Sequence, residues 1–583
     1  MKNINKYIII KKKTSLIILM MLVAAFIQND LFGQINKSKT SEDGIVFPYR
    51  GWSIAVLSND KELEERYVAA ATRNAKEYRI NTLEIHDYVM PGGIIDALIT
   101  YDAFSKINHY DTLTYGRVKV SKREKDLNLE RFKRMIEPSH KEMKINVWYH
   151  VMRDLPKELA IEYPQIQDIR SGFLWTFIDS SLTEFFRKVP EVDRITLISL
   201  HETPSILNNL GGLSSNEVLL KLYMTIYKAC HRAGKELIIR DFIDTYKDYQ
   251  TFWNILDQLP QDIYIMTKCI SGDWSHLDMA INPMMNRYKN HKLIVEFDLY
   301  GEWSGRGDFP VCYPEYIIRL IREMKGLDAL GAVGRIIHDS RPADKLPFNT
   351  IFDSPLDINC FTFAKSLSEP LSWLGETDPK WNEDIEAIDK KDWMIWAKDR
   401  YGDKAAMQIV RALERTSSIN KLTFDLAGIS FRLYIWYPTL FRTKPGDQTT
   451  LGHSWDNFQM QVQNVGIEYL RDEKNRALEL AFQSLNDIKS LENRISKVKQ
   501  QELEKLFDNM ILIIKAYQVA LDGYYQVYVA KNQPNLHGLE KASKEINNLA
   551  DEIDVKRGSG WYFNLTKEMR VLSGQVLEGL TPD

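Results

Sequence analysis

The sequence predicts an α/β protein: a (β/α)8 TIM barrel followed by a mostly α-helical C-terminal domain. Three observations lead there. Eight short runs rich in β-branched and apolar residues recur between Ser53 and Ile336. Amphipathic helical stretches separate them, and strands alternating with helices pair in parallel through helical crossovers. After about residue 375 strand-like runs nearly vanish and long helical patterns take over.

In chain order the strand candidates are Ser53–Leu57, Thr82–His86, Ile145–His150, Ile195–Glu202, Glu236–Phe242, Ile263–Lys268, Lys292–Leu299 and Leu330–Ile336. Helical stretches between them include Lys61–Glu77, Leu129–Glu142, Glu217–Arg232 and Pro314–Lys325. Eight such units within about 300 residues have the size of a TIM barrel. A doubly wound open sheet is the alternative. It wants a glycine-rich turn after its first strand, and Leu57-Ser58-Asn59-Asp60 holds none. The barrel is placed at residues 46–369 and the helical domain at 370–583. Val465–Asn486, Ser490–Asp522 and Gly538–Ile553 carry the helical domain, and the apolar stripe in Gln500–Lys515 reads as core or a helix–helix contact.

A chain of 583 residues suggests more than one domain. Its 44% apolar and 27% charged residues are ordinary for a soluble globular protein. A net charge of -3 argues against nucleic-acid binding through a broad basic surface. Residues 1–34 read as a secretion signal: Lys2, Lys6 and Lys11 to Lys13 precede an apolar stretch from Ser15 to Ile27, with a small-residue step at Gly33-Gln34. The apolar run is short for a membrane span, so a retained anchor is the lesser alternative, and the protein is expected in the periplasm or outside the cell. Cys230, Cys269, Cys312 and Cys360 show no C-x-x-C spacing. They leave room for one incidental disulfide but not for a disulfide scaffold or structural zinc.

Active sites of TIM barrels stand at the C-terminal ends of the strands. The residues there are chemically dense. The second strand ends in His86-Asp87, the third in Trp148-Tyr149-His150, the fourth in His201-Glu202 and the fifth in Arg240-Asp241. The sixth ends in Lys268 with Asp273 just beyond. Glu302-Trp303 follows the seventh strand, and His338-Asp339 follows the eighth. Glycosidic hydrolysis needs two carboxyl groups, one to protonate the leaving oxygen and one to activate water or attack. Glu202, Asp273 and Glu302 lie on three strand-end loops and can converge on a sugar from different sides. His86, Trp148, His150, His201, Trp303 and His338 are the candidate sugar contacts. The sequence has no H-E-x-x-H zinc motif, no G-x-S-x-G elbow and no P-loop, so neither metal nor cofactor is expected. The Arg306-Gly307-Asp308 triplet reads as coincidental.

At these residues the chain resembles the α-glucuronidases of glycoside hydrolase family 67. Lys268-Cys269-Ile270-Ser271-Gly272-Asp273 resembles the family's K-N-G-P-I-D segment in its Lys-to-Asp spacing. Glu296 to Gly305 resembles its E-L-Q-I-T-Q-E-Y-x-G segment in both glutamates and the glycine. Glu202 occupies the general-acid position, and Arg240, in Ile239-Arg240-Asp241-Phe242, resembles the family's W-R-A-F. Asn359–Pro370 and Trp393–Tyr401 echo the family's segment leading into its helical domain. The resemblance covers roughly residues 190–400. It implies Glu202 as acid, Asp273 and Glu302 as the groups that activate water, and Arg240 and Lys268 as holders of a sugar carboxylate. The chain departs from the family in three ways. Its barrel starts too early for the family's N-terminal β-domain, Ile198 stands where the family has Lys, and Thr203 replaces the Gly after the acid.

The expectation is therefore a secreted, inverting, exo-acting α-glucuronidase-like hydrolase that removes a uronic acid from polysaccharide-derived oligosaccharides. The alternatives are a hydrolase of the same architecture for another sugar, a non-catalytic glycan-binding barrel, and a lyase using His201 or Tyr149. A homodimer through the helical domain stays open, and no stable membrane insertion is expected after signal cleavage.

Overall fold

The computed structural model describes residues 47–58, 60–86, 93–151, 153, 155–198, 211–241, 246–271, 279–302, 305–369, 380–430, 455–533 and 535–578. The stretch read as a secretion signal, residues 1–34, lies outside them, as do Glu202, His201, Asp273 and Trp303.

Chain order gives β1 (Tyr49–Val56), α1 (Lys61–Ala75), β2 (Thr82–Ile85), α2 (Gly93–Leu98), β3 (Thr112–Tyr115), β4 (Val118–Ser121), α3 (Lys122–His140), β5 (Lys144–Tyr149), α4 (Lys157–Glu162), α5 (Gly172–Lys188), β6 (Val192–Ile198), α6 (Ser215–Arg232), β7 (Glu236–Arg240), α7 (Tyr246–Leu256), β8 (Tyr264–Lys268), β9 (Lys292–Asp298), α8 (Pro314–Lys325) and β10 (Gly331–Asp339). Strands β1, β2 and β5 to β10 close a barrel in the order β1-β10-β9-β8-β7-β6-β5-β2. Every neighbouring pair is parallel. The helices start where the sequence supplies caps. Asp60 accepts from Leu63 N at 2.9 Å ahead of α1, and Ser121 and Ser214 make capping boxes with Glu124 and Glu217 ahead of α3 and α6.

The pleat sorts the side chains. Odd and even positions alternate between the barrel interior and the surrounding helices. Tyr49, Ile238, Tyr264, Met266, Ile294 and Val333 form an inner apolar layer. Two residues further along their strands, and so one layer closer to the mouth, stand Arg240, Lys268, Glu296 and Arg335, all buried. The outer faces, among them Ile54, Leu83, Val147, Leu197, Ile239 and Val295, pack under the helices in the main core.

Helix α9 (Asp357–Ser368) follows β10 and packs on the barrel, its Phe363 against Trp52 and Phe297. The C-terminal region is helical: α10 (Trp381–Tyr401), α11 (Asp403–Phe424), α12 (Trp455–Val465), α13 (Ile467–Lys489), α14 (Lys497–Asn532), α15 (Leu536–Arg557) and α16 (Trp561–Leu577). It shares the barrel's core. Arg322 of α8 pairs with Asp384 of α10 at 2.5 Å, and Asp357 accepts from Trp396 at 2.9 Å and Arg400 at 3.0 Å. The stripe in Gln500–Lys515 is buried at Leu503, Phe507, Met510 and Ile514. No described helix is long and apolar enough to cross a membrane.

All eight predicted barrel strands form, with two corrections. His338 and Asp339 belong to β10 itself rather than following it. A register shift at Ser53/Ile54 lets β1 keep pairing to the end, Ala55 with His338 and Val56 with Asp339. The hairpin β3–β4 was not expected: its alternation spans only four residues a side around Gly116, whose φ is 58°. All four cysteines are buried and form no disulfide, although one was left open.

Gly334 sits where β10 passes under α9. A Cβ there would fall 2.4 Å from Leu299 Cδ1 and 3.1 Å from Phe363 Cε1. Gly334→Ala is expected to destabilise the fold by about 1–3 kcal/mol through overpacking. Denaturant unfolding measures this, and an unchanged midpoint would show that the core yields there.

Candidate active site

The mouth is organised around two glutamates, one inside the barrel and one on the loop after β9. Glu296 has 0% exposure. Its carboxylate meets Arg240 Nε at 2.7 Å and the Arg335 guanidinium at short range, and Lys268 adds charge nearby. Burial raises its pKa, but these three cations outweigh burial and hold it below the ordinary carboxylate value.

Glu302 is 4% exposed. One oxygen lies 3.1 Å from Arg335 Nη1 and the other 2.8 Å from His338 Nδ1. Burial pushes its pKa up, while His338, Arg335 and Arg306 pull it well below the usual range, so it is ionised. Its backbone is fixed as firmly. Asp298, at the end of β9, accepts from Tyr300 N and Gly301 N at 3.1 Å each and from Glu302 N at 2.7 Å. Arg306 Nε donates to Glu302 O at 3.1 Å. Asp298 is raised to about 7 by burial and then by the charge of Glu302, against those backbone donors.

Trp148 forms the aromatic centre. Its indole N–H donates to Glu84 at 3.1 Å. His86 stacks on it with centroids 3.3 Å apart, and the Arg240 and Arg335 guanidinium carbons lie 4.8 and 5.6 Å from its centroid. His86 Nε2 is 2.7 Å from Ser53 Oγ. Burial, then the nearby Arg335 and His338, lower its pKa well below that of a free imidazole. His150 is buried with its ring 6.4 Å from Trp148. Asp241, raised to about 6 by burial, accepts from Tyr288.

The structure thus brings Arg240, Lys268, His86, Trp148, His150, Glu302 and His338 to one end of the barrel. Glu202, His201, Asp273 and Trp303 lie outside the described residues. Arg240 commits its Nε to Glu296, a partner that sequence reading did not consider. Sequence reading also missed Arg335, Glu296, Glu84 and Asp298 as site residues. The signal was present for two of them. An arginine inside Ala332-Val333-Gly334-Arg335-Ile336-Ile337, and a glutamate inside Ile294-Val295-Glu296-Phe297, are charges in fully buried strands, which demand a partner inside the barrel. The triplet Arg306-Gly307-Asp308 is buried at both charged ends, and Asp308 pairs with Arg341. Among the described residues no group of His, Cys, Asp and Glu is placed to hold a metal ion.

The fold and this mouth define a closed parallel (β/α)8 barrel with a helical C-terminal region. No protein-family model and no curated protein sequence matches the chain. Among solved structures, a GH138 enzyme targeting pectin rhamnogalacturonan II matches with a TM-score of 0.59 at 14% identity, over 90% of this chain and 63% of that one. The chain thus spans less than two thirds of that enzyme's length. An O-GlcNAc hydrolase from Thermobaculum terrenum matches at a TM-score of 0.43 and 12% identity, over 91% of this chain and 94% of that one. The first match supports the barrel; at these identities the likeness is one of fold.

Glu302 and His338 both have folded-state pKa values below their unfolded ones. The stability they contribute is present above the unfolded values, about 4.3 for the carboxyl and about 6.5 for the imidazole, and is lost on acidification. Burial lowers the pKa of His338 and Glu302 partly restores it. In Glu302→Gln the His338 titration is therefore expected to move further down, read from its ring protons by NMR. An upward move would contradict the electrostatics described above.

Proposed function

We propose that this chain is a glycoside hydrolase, secreted and inverting, that removes a uronic acid from polysaccharide-derived oligosaccharides. The observation that carries the reading is Glu302, an ionised carboxylate buried at the C-terminal mouth of a closed barrel and flanked by cations. An ionised carboxylate cannot protonate a leaving group, so the acid has to come from elsewhere. Glu202, following β6 in sequence and matching the family 67 acid, takes that role. A carboxylate pinned by Arg335 and His338 is also a weak base, since a good one has a pKa near the working pH. Asp273 then accepts the proton of the attacking water while Glu302 orients it. Lys268, at the C-terminal end of β8, suits an anionic sugar: a cation there pairs with its carboxylate. The fold shared with an enzyme that targets pectin rhamnogalacturonan II is in keeping with a polysaccharide substrate.

A product screen comparing uronic-acid-containing oligosaccharides with their neutral counterparts tests the reading. Release of a uronic acid, first seen by NMR as the inverted anomer, supports it; retention or a preference for neutral sugars defeats it. Lys268→Met should raise KM for the uronate about 10–100-fold, the worth of a charge-assisted hydrogen bond, and leave neutral sugars nearly unaffected.

Glu202→Gln should lower kcat about 10²–10⁴-fold on substrates with poor leaving groups. Activated aryl glycosides need less proton donation and should lose far less. An equal, small loss on both would remove Glu202 from the acid role.

A further inference from the structure

The described residues between Leu299 and Tyr313, in the loop that carries Glu302, form no helix and no strand. Gly301, Gly305, Arg306 and Gly307 all take positive φ, at 76°, 98°, 48° and 84°. Such a segment needs anchoring from outside. Asn359, in the first turn of α9 and 0% exposed, supplies it. Its Nδ2 donates to Leu299 O at 3.2 Å and to Val311 O at 2.9 Å, and its Oδ1 accepts from Tyr313 N at 3.0 Å. One amide thus joins the two ends of the loop. Tyr313 closes the same ring from the other side, its hydroxyl donating to Asp298 O, directly below the Asp298 carboxylate that holds the backbone of Glu302.

The helical region braces the rest of the loop. Phe309 packs on Phe424 with centroids 4.9 Å apart, and Phe424 on Tyr517 at 5.0 Å. Cys312 N donates to Thr416 Oγ1 at 3.0 Å. A Cβ on Gly305 would stand 3.2 Å from the Tyr562 hydroxyl.

We infer that Asn359 is a positioning residue for Glu302, fixing the carboxylate against Arg335 and His338 by clasping both ends of its loop. This rests on the reading of Glu302 as a mouth carboxylate of the proposed hydrolase. It gives α9 a part in the site, although Asn359 itself does not need to touch the sugar.

Asn359→Asp keeps the size but turns two donors toward backbone carbonyls into an acceptor; Asn359→Ser removes them without adding charge and guards against a variant that fails to fold. In either folded variant, amide exchange at Tyr300, Gly301, Glu302 and Arg306 should quicken about tenfold or more while the strands β1 and β5 stay protected. The Glu302 carboxyl, followed by NMR, should titrate higher, toward the ordinary carboxylate range. On a cleaved substrate kcat should fall about 10–100-fold with KM little changed, the signature of a displaced group. Below the titration of the new carboxyl, the Asp variant regains one donor, so its deficit should shrink with falling pH while that of the Ser variant does not. Unchanged exchange and an unchanged Glu302 titration in a folded variant would overturn the inference. If the unmodified chain cleaves no glycoside, the hydrolase reading falls, and exchange and titration still decide whether Asn359 holds Glu302.

Discussion

A glutamate with no exposed surface, ionised in the middle of a β-barrel, constrains everything around it. Glu296 is tolerable there only because Arg335 reaches it from the neighbouring strand β10 and Arg240 from β7, two strands away on the other side. Removing one partner of such a pair leaves an uncompensated buried charge and costs about 3–5 kcal/mol. Register therefore matters more here than in an ordinary barrel. Slipping one strand by one residue would turn its charge out into the apolar layer beneath the helices. The apolar layer of Ile238, Met266, Ile294 and Val333, and the charged layer two residues above it, are the two sides of that requirement.

From Glu296 the charge arrangement continues outward. Arg335 bridges Glu296 and Glu302, so the interior pair and the loop carboxylate share one guanidinium. Arg341 extends the pattern at the rim, pairing with Asp308 and with Asp339 at 2.8 Å and donating to Arg306 O at 3.0 Å. Positions are thus transmitted from strand to loop through bidentate or bridging arginines, whose planar fork fixes direction as well as distance.

Much of this was legible in the sequence because the barrel repeats one simple signal. Runs such as Leu237–Ile239 and Leu293–Val295 are apolar on both faces, which only a strand buried on both sides needs, and caps such as Ser214 with Glu217 mark where helices begin. Strand ends could be found, so Arg240, Lys268, Trp148 and Glu302 could be singled out. What could not be read is which charge meets which. Arg240 and Glu296 lie 56 positions apart and are joined only by barrel closure. Asn359 is one of several polar residues in α9, and nothing local marks it as the partner of a loop 46 positions upstream. The hairpin β3–β4 escaped because a four-residue alternation inside a long crossover is too short to stand out.

The mouth also decides where a proton resides. Asp298 and Glu302 are close enough for the charge of one to raise the pKa of the other, and burial disfavours ionising both. Arg335, His338 and Arg306 all act on Glu302, whereas Asp298 has backbone N–H groups as its nearest donors. The negative charge therefore settles on Glu302, and Asp298, near 7, is the member that takes up a proton as the medium turns acidic. Protonating Asp298 puts a hydrogen on a carboxyl whose two oxygens both accept backbone N–H groups, loosening its hold on residues 300–302. The loop consequently needs an anchor that does not titrate. The Asn359 amide meets that need: it has no charge to lose, it satisfies both ends of the loop at once, and it sits on a helix that Phe363 holds against β1 and β9 and Asp357 holds against α10.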